Sequence, residues 1–394
     1  MDLVILAVKG IIILAIFGLT LLIATYSTYA ERKVAAFLQD RLGPNRAGPW
    51  GLLQPIADAG KMFFKEEFIP SQANKWLFIL GPCLTMLTCL MASAVIPFGD
   101  SVKFAWDNVN YTVPIQGMEI NIGVLYIFGV VSLGVYGLMV GGWASNNKFS
   151  LLGAIRAASQ NISYEIALGL SMIAILMMAG SLSVRAIVEQ QATAGFLGWN
   201  VFTQPLGFII FLTCAFAECN RTPFDLPECE TELIGGYHTE YTSMKLGFYL
   251  FAEYINMFVS SAFVSSLYFG GYHYPFAANV HELLTGSLGA VAGHNVATLL
   301  GTVVFFGKIF FFIFFFMWVR WTLPRFRYDQ LMNLGWQSLF PLAVLNIVVT
   351  GFGLLYDIKY ASWLIVLGTV VAVFVSSARA PKRQVTPVRA QASV

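Results

Sequence analysis

Charged residues are scarce in this sequence. Only 11% of the 394 residues are charged and 57% are hydrophobic, whereas a soluble domain carries roughly 25% charged residues. A chain with so few charges cannot cover a folded surface in water. The composition therefore excludes an ordinary soluble enzyme and predicts a polytopic membrane protein. The net charge of +2 gives no indication of nucleic-acid binding.

Cysteine and histidine are also scarce, and their spacing excludes several kinds of site. The five cysteines form no CxxC pair, so we expect no disulfide framework, zinc site or iron–sulfur cluster in this chain. The four histidines are scattered, which argues against haem pairs. The sequence has no phosphate-binding loop, dinucleotide-binding GxGxxG motif or Ser-His-Asp arrangement. We therefore expect this chain to bind no metal or cofactor of its own.

Long uncharged runs predict the membrane spans. Eight of them are near the ~20 residues that a transmembrane helix needs, apart from the short fifth one, which we expect to begin before Pro205. They are Gly10–Ala30, Trp76–Gly99, Ile120–Gly142, Ser163–Gly180, Pro205–Ala217, Met244–Gly270, Val296–Val319 and Gly335–Tyr356. A further run, Tyr360–Ala378, predicts a ninth span within a C-terminal extension, residues 357–394. The prediction is an all-α transmembrane bundle forming one domain, residues 1–394.

The distribution of lysine and arginine predicts the orientation. Loops after the odd-numbered spans, together with the C-terminal tail, carry most of the 23 basic residues. The opposite loops carry only Lys103, Arg185 and Lys359. By the positive-inside rule the basic side faces the cytoplasm. In a bacterial inner membrane the N-terminus would then be outside and the C-terminus cytoplasmic. This requires an odd number of spans, and nine fits.

The first cytoplasmic loop, residues 31–75, contains a short amphipathic pattern. Pro55 suits the first turn of a helix. One face of that helix carries Ile56, Gly60, Phe63 and Phe64, and the other carries Asp58, Lys61 and Lys65. The helix is too short to span and suits the membrane interface. Docking on a partner subunit is an alternative that is compatible with this position.

Acidic residues are concentrated between two apolar runs, around a loop at residues 218–243. They are Glu218, Asp225, Glu228, Glu230, Glu232, Glu240 and Glu253, seven of the 21 in the chain. Intramembrane carboxylates cost about 2.5–3.5 kcal/mol at a helix centre and usually line proton or ion paths. The cluster therefore predicts such a path, with a solvated acidic loop as the alternative. Glu165, just inside the predicted fourth span, is a further candidate, with simple pairing to a neighbouring helix as its alternative.

The cytoplasmic end of the seventh span is rich in arginine. Arg320, Arg325 and Arg327 alternate there with the aromatic residues Trp321, Phe326 and Tyr328. A membrane-anchoring belt explains the aromatic residues and one arginine. Three arginines exceed that need and predict contacts with acidic loop residues or with a polar ligand head group.

Four long motifs carry a resemblance to a known family. They are ERKVAAFLQDRLGPNRAGPWGLLQPIADAGKMFFKE, GWASNNKFSLLGAIRAASQNISYE, AECNRTPFDLPECETELIGGYHTEY and WVRWTLPRFRYDQLMNLGW. In this order they resemble the quinone-chamber membrane subunit of respiratory complex I, over most of the chain up to about residue 355. The segment after Tyr356 lies outside the eight-span pattern of that family.

The resemblance implies more than the residues alone. It implies a subunit of NADH:quinone oxidoreductase with quinone as substrate and NADH as electron donor. FMN and iron–sulfur clusters would lie in partner subunits, among them the peripheral-arm subunits that carry the terminal clusters, beside other membrane-arm subunits. The implied quinone cavity involves Arg32, Lys33, Asp58, Arg320, Arg325 and Arg327, with the amphipathic helix at the tail entry. The acidic cluster and Glu165 would belong to the proton-coupling path.

Two alternatives remain open from the sequence. One is the homologous subunit of a membrane-bound hydrogenase-type complex, and the long GPNRAGPWGLLQPIADAGK loop favours the quinone enzyme over it. The other is a stand-alone secondary transporter or proton channel. Against this second alternative, the sequence shows no internal repeat and no paired broken helices.

Overall fold

The computed structural model describes residues 3–106, 109–193, 195–227, 233–358 and 360–369. Seven helices in these ranges are long and apolar enough to cross a membrane, and Pro205–Glu218 is a shorter apolar helix. The helices are α1 (Leu3–Leu38), α2 (Gln54–Phe64), α3 (Lys75–Ser93), α4 (Gly123–Ala144), α5 (Lys148–Ala179), α6 (Val184–Thr193), α7 (Asn200–Thr203), α8 (Pro205–Glu218), α9 (Ser243–Tyr268), α10 (Ala277–Leu288), α11 (Ala290–Thr322), α12 (Tyr328–Asn333) and α13 (Phe340–Leu355). A π-helical segment, Leu334–Leu339, joins α12 to α13. The predicted helical membrane bundle is thus confirmed.

Helix α9 is the central element of the bundle. In its most apolar stretch of 18 residues, 72% of the residues are buried inside the chain, compared with 11% in the corresponding stretch of α1. Small and hydroxyl side chains such as Ala262, Ser261 and Ser265 allow the neighbouring helices to approach it closely. Residues on α9 are therefore placed to meet side chains from several other elements.

Helix α1 is longer than the first predicted span. The run Gly10–Ala30 continues as a regular helix to Leu38, because the residues after Ala30 include good helix formers such as Glu31 and Ala35. The helix ends where Asp40 adopts a left-handed conformation with φ 50°. The charged residues Glu31 to Lys33 therefore lie on the helix and not in a loop, which corrects the predicted boundary.

Helix α5 also begins earlier than predicted. It begins at Lys148, where the Asn147 side chain accepts a hydrogen bond from Phe149 N at 2.9 Å and caps the helix. Glu165 consequently lies about 25 Å along the helix at 1.5 Å per residue. The structure thus places Glu165 on the regular part of α5, within the predicted fourth span.

The fifth span is short, as predicted, with 14 residues in α8. The expected earlier start is wrong, because α7 forms a separate turn before Pro205. A second difference is a two-stranded antiparallel hairpin, β1 (Ser101–Trp106) and β2 (Val109–Pro114), in a chain expected to be all-α. The Asn295 side chain on α11 bonds both the N–H and the carbonyl of Lys103, at 2.9 and 2.8 Å. It thereby satisfies part of the open edge of β1.

Lys308 lies inside the apolar part of α11, and its ammonium group is bound by backbone carbonyl groups. Its Nζ donates to the carbonyl oxygens of Phe269, Gly271 and His273 at 2.7, 2.7 and 2.6 Å. These three contacts use all the protons of an ammonium group. Nζ also lies 4.6 Å from the centre of the Trp199 ring. The lysine therefore fixes the loop that follows α9.

The C-terminal extension packs on α13 as far as it is described. Residues 362–369 are helical, and Ser362 Oγ donates to Asn346 Oδ1 at 3.0 Å. The absence of a side chain at Gly353 lets the extension approach α13 closely, because a Cβ atom there would lie only 2.7 Å from the Cβ of Ala361. The remainder of the predicted ninth span, Tyr360–Ala378, lies outside the described residues.

We expect residues 360–378 to cross the membrane and to leave the C-terminus in the cytoplasm. Four basic residues follow the run: Arg379, Lys382, Arg383 and Arg389. A reporter that is active only in the cytoplasm should work when fused after Val394. The matched fusion after Asp357, before the run, should be inactive. Equal activity of the two fusions would show that the extension does not cross.

Candidate functional site

Three buried charged side chains and one partly exposed arginine form one network between α1, α9, α11 and the loop after α8. Arg221 Nη1 donates to Glu31 Oε2 at 3.2 Å, and Arg221 Nη2 lies 3.8 Å from Glu253 Oε2. Arg320 Nη1 contacts the other oxygen of Glu31 at 2.5 Å. Two cations thus face two carboxylates, and the network is balanced in formal charge.

Aromatic side chains complete this network. Tyr237 donates its hydroxyl proton to Glu253 Oε1 at 3.2 Å. The guanidinium of Arg221 lies 4.3 Å from the centre of the Tyr254 ring, a distance suited to a cation–π interaction. The side chains of Arg221 and Glu31 are only 4% and 7% exposed. Their mutual pairing is therefore what makes their burial tolerable.

The sequence pattern does not select Glu31 or Arg221 as site residues. It assigns Glu31 to a loop, because the first uncharged run ends before it. The continuation of α1 to Leu38 places Glu31 on a helix instead. Arg221 is one of two basic residues within an acidic stretch, and that isolation is a signal for a buried ion pair.

The loop after α8 docks on the C-terminal end of α11 and the segment after it, which carry the three exit arginines, Arg320, Arg325 and Arg327. Asp225 is 4% exposed and lies 2.5 Å from Arg325 Nη2. Phe326 N donates to the Pro223 carbonyl at 3.1 Å, and the Phe224 and Phe326 rings are 5.4 Å apart. Two of the three exit arginines thus meet buried carboxylates, Arg320 in the network and Arg325 here.

Glu165, Glu218 and Glu253 line one internal cavity. Its volume is about 40 Å³, enough for roughly three water molecules. The Ser132 hydroxyl hydrogen-bonds Glu165 Oε1 across the gap between α4 and α5. Within the described ranges no lysine or arginine forms an ion pair with Glu165 or Glu218. The cavity therefore brings together Glu165 and Glu218, which have no cationic partner among the described residues, and Glu253, which belongs to the charged network.

The remaining residues that the sequence selected do not line this cavity in the described part of the chain. Glu240 accepts a hydrogen bond from Asn147 Nδ2 at 2.6 Å, next to the start of α5. Arg327 pairs with Asp329 at 3.4 Å on the surface, with 77% of its side chain exposed. Three further candidates lie outside the described residues: Glu228, Glu230 and Glu232.

Helix α2 is attached through its polar side. Asp58 pairs with Arg32 on α1 at 2.7 Å, and Ser243 Oγ donates to the Met62 carbonyl at 3.0 Å. After the helix, a hydrogen bond from Lys245 holds the pKa of the Glu67 carboxyl below its usual range.

The apolar face of α2 points away from this chain. Phe63 and Phe64 are 67% and 94% exposed, and Ile56 is also exposed. A Cβ atom added at Gly60 would meet no other atom within 4 Å. Lys33, on α1, lies over the Tyr29 ring at 5.6 Å. The helix thus leaves an open apolar surface beside the Arg32–Asp58 pair.

The fold and the site define a class of protein. The chain is an integral membrane bundle with a carboxylate cavity inside it and an amphipathic helix beside its charged face. A sequence-family model described as NADH dehydrogenase matches residues 11–351. The chain therefore belongs to the NADH dehydrogenase family and is a membrane subunit of that enzyme complex, which confirms the resemblance of the four motifs.

The similarity to individual relatives extends over most of the chain. An H subunit of the NADH-quinone oxidoreductase of Cytophaga hutchinsonii is 64% identical over 343 residues, which cover 87% of this chain and 95% of the relative. The H subunit of the same enzyme in Flavobacterium johnsoniae is 60% identical over 354 residues, 90% and 97% of the two chains. NADH-quinone oxidoreductase subunit 8 of Rhodothermus marinus is 46% identical over 345 residues, 87% and 96% of the two chains.

We expect Arg221→Met to destabilise the subunit strongly. The change removes a cation between Glu31 and Glu253, and breaking a buried ion pair on one side costs about 3–5 kcal/mol. Thermal stability of the complex in solubilised membranes would measure the effect. The matched variant is Arg327→Met, whose exposed pair is worth about 0–1 kcal/mol. Similar stability of the two variants would contradict the central role of Arg221.

Proposed function

We propose that this chain forms the quinone entry path and cavity wall of a proton-pumping NADH:quinone oxidoreductase, and that it couples quinone reduction to proton movement. The names of the relatives support the quinone chemistry. The observation that carries the coupling is the shared cavity of Glu165, Glu218 and Glu253. In this proposal electrons from NADH reach quinone through FMN and iron–sulfur clusters in partner subunits.

The cavity is suited to holding exchangeable protons. Two carboxylates that share a poorly solvated space without a cation repel each other when both are ionised. A proton placed between Glu165 and Glu218 relieves this repulsion. Because the cavity has room for water, the proton has a path between the two groups. A change in nearby charge then changes the number of protons that the pair holds.

The charged network supplies the link to quinone. Glu253 belongs to both the cavity wall and the network, and Arg221 connects it to Glu31. Arg320, which pairs with Glu31, has 25% of its side chain exposed. A quinone anion near this arginine would compete with Glu31 for its charge. The Arg221 guanidinium would then divide its contacts differently between Glu31 and Glu253. The electrostatic potential in the cavity would change as a result.

The open face of α2 suits the isoprenoid tail of a quinone. That face presents Ile56, Phe63 and Phe64 without a polar group that would hold a quinone carbonyl. A long tail needs an apolar slot, and the Arg32–Asp58 pair marks the polar end of the same region. The helix in this proposal admits the tail, while the head group goes on towards the partner subunits.

We expect Glu165→Gln to lower quinone reduction and proton pumping together, with the complex still assembled. Glutamine keeps the size of the side chain but cannot exchange a proton. NADH oxidation with quinone should fall about tenfold or more, on the scale of lost proton-transfer steps. NADH oxidation with an artificial acceptor should persist, since it needs no quinone site. Glu228→Gln should behave in the same way if the loop belongs to the path.

The matched control is Glu282→Gln, on α10 outside the cavity, which should leave both activities unchanged. Loss of both electron-transfer activities together with the complex would assign Glu165 a structural role and contradict the coupling proposal.

We expect Gly60→Leu to hinder long-tailed quinones more than short-tailed analogues. The side chain would enter open space, so folding should be spared while the passage narrows. Steady-state kinetics with quinones of increasing tail length would measure the effect. Gly129→Leu is the matched control, because a Cβ atom there also meets nothing within 4 Å. An equal loss for all tail lengths in assembled complex would rule out the passage.

A further inference from the structure

Ser132 on α4 reaches two acceptors with a single hydroxyl group. Its Oγ lies 2.8 Å from the Phe128 carbonyl oxygen, one turn earlier in the same helix. The same Oγ hydrogen-bonds Glu165 Oε1 on α5. A serine hydroxyl has one proton to donate and two lone pairs that accept. It can donate a full-strength bond to only one of the two oxygens at a time, so the two contacts are suited to different protonation states of Glu165.

Each state of Glu165 has a complete hydrogen-bond arrangement at this serine. When Glu165 is protonated, its O–H donates to Ser132 Oγ and the serine donates to Phe128 O. When Glu165 is ionised, the serine hydroxyl rotates and donates to Glu165 Oε1. The Phe128 carbonyl then keeps its ordinary bond from the backbone N–H of α4. The exchange needs only a rotation of one proton, and no covalent bond of Ser132 breaks.

The other hydroxyl groups of the cavity wall are differently engaged. Thr85 and Thr88 donate to backbone carbonyls of their own helix, Thr85 at 2.9 Å to Pro82 and Thr88 at 2.9 Å to Thr85. Tyr249 donates to the Gly137 carbonyl at 3.1 Å and Tyr237 donates to Glu253. The titratable groups that share the cavity with Glu165 are Cys89 on α3, Glu218 on α8, Tyr237 in the turn before α9, and Tyr249 and Glu253 on α9. Among the described residues Ser132 is thus the hydroxyl group that serves Glu165.

We propose that Ser132 is a positioning residue that satisfies Glu165 in both protonation states, so that a proton can leave and return without stranding a buried oxygen. This inference rests on the proposed proton role of Glu165. A bond to an ionised acceptor is roughly twice as strong as a neutral one. Removing the serine hydroxyl therefore takes away a stronger bond when Glu165 is ionised than when it is protonated.

The test measures quinone reductase activity in assembled complex as a function of pH. The activity that remains in Glu165→Gln is subtracted at each pH, which leaves the pH profile of the Glu165-dependent activity. We expect Ser132→Ala to move the midpoint of this profile to higher pH by about 0.7 unit, or about 1 kcal/mol at 1.36 kcal/mol per unit. Ser132→Thr keeps the hydroxyl and should restore the wild-type midpoint. Thr88→Val, which removes another hydroxyl group of the cavity wall, should leave the midpoint unchanged.

A double-mutant cycle separates this role from simple packing. In the Glu165→Gln background, Ser132→Ala should have no further effect, because the two residues act as a pair. Additive losses, or an unshifted midpoint in Ser132→Ala, would overturn the inference. If the alanine variant does not assemble, Ser132→Cys replaces it with a weak donor of similar size and must show the same shift. Wild-type activity of Glu165→Gln would instead remove the coupling proposal itself.

Discussion

The guanidinium of Arg221 holds together charged groups that could not be buried separately. It lies between Glu31 on α1 and Glu253 on α9, and Arg320 on α11 balances the second oxygen of Glu31. An isolated charge in such surroundings costs several kcal/mol, and good pairing geometry is needed to offset it. The relative positions of these helices near one membrane face are therefore constrained by a single set of ion pairs.

This constraint divides the carboxylates of the interior into two kinds. Glu31 and Asp225 each meet an arginine at 2.5 Å, so each of them is part of an ion pair. Glu165 and Glu218 meet no cation among the described residues, and they face each other across a cavity. Glu253 touches both groups. A rigid, charge-balanced frame beside a protonable pair is an arrangement in which a distant charge can change proton occupancy without unfolding the frame.

The sequence predicted the parts of this arrangement that depend on hydrophobic length and on charge type. The uncharged runs located the seven long apolar helices of the described residues and the shorter α8, because burial in lipid requires about 20 apolar residues. The motif around Asp225 and the exit arginines pointed to contacts between acidic and basic groups. Helix ends could not be read in the same way. Polar residues continue a helix as readily as a loop, so the helical position of Glu31 and the early start of α5 at Lys148 became visible only in the structure. Ser132 carried no sequence signal, since serine is common on membrane helices and its partner is 33 residues away.

The C-terminal extension shows the same dependence of polar burial on tertiary contacts. Asn346 lies inside α13 with no exposed surface, and its Nδ2 donates to Gln204 Oε1 at 3.1 Å. Its Oδ1 accepts from Ser362, which is also fully buried. Without the extension that oxygen would lose its donor, and an unpaired buried acceptor costs about 1–3 kcal/mol. The family match ends at residue 351, yet the residues beyond it complete a hydrogen-bond network inside the matched region. The beginning of the extension is therefore part of the folded bundle and not an appended tail.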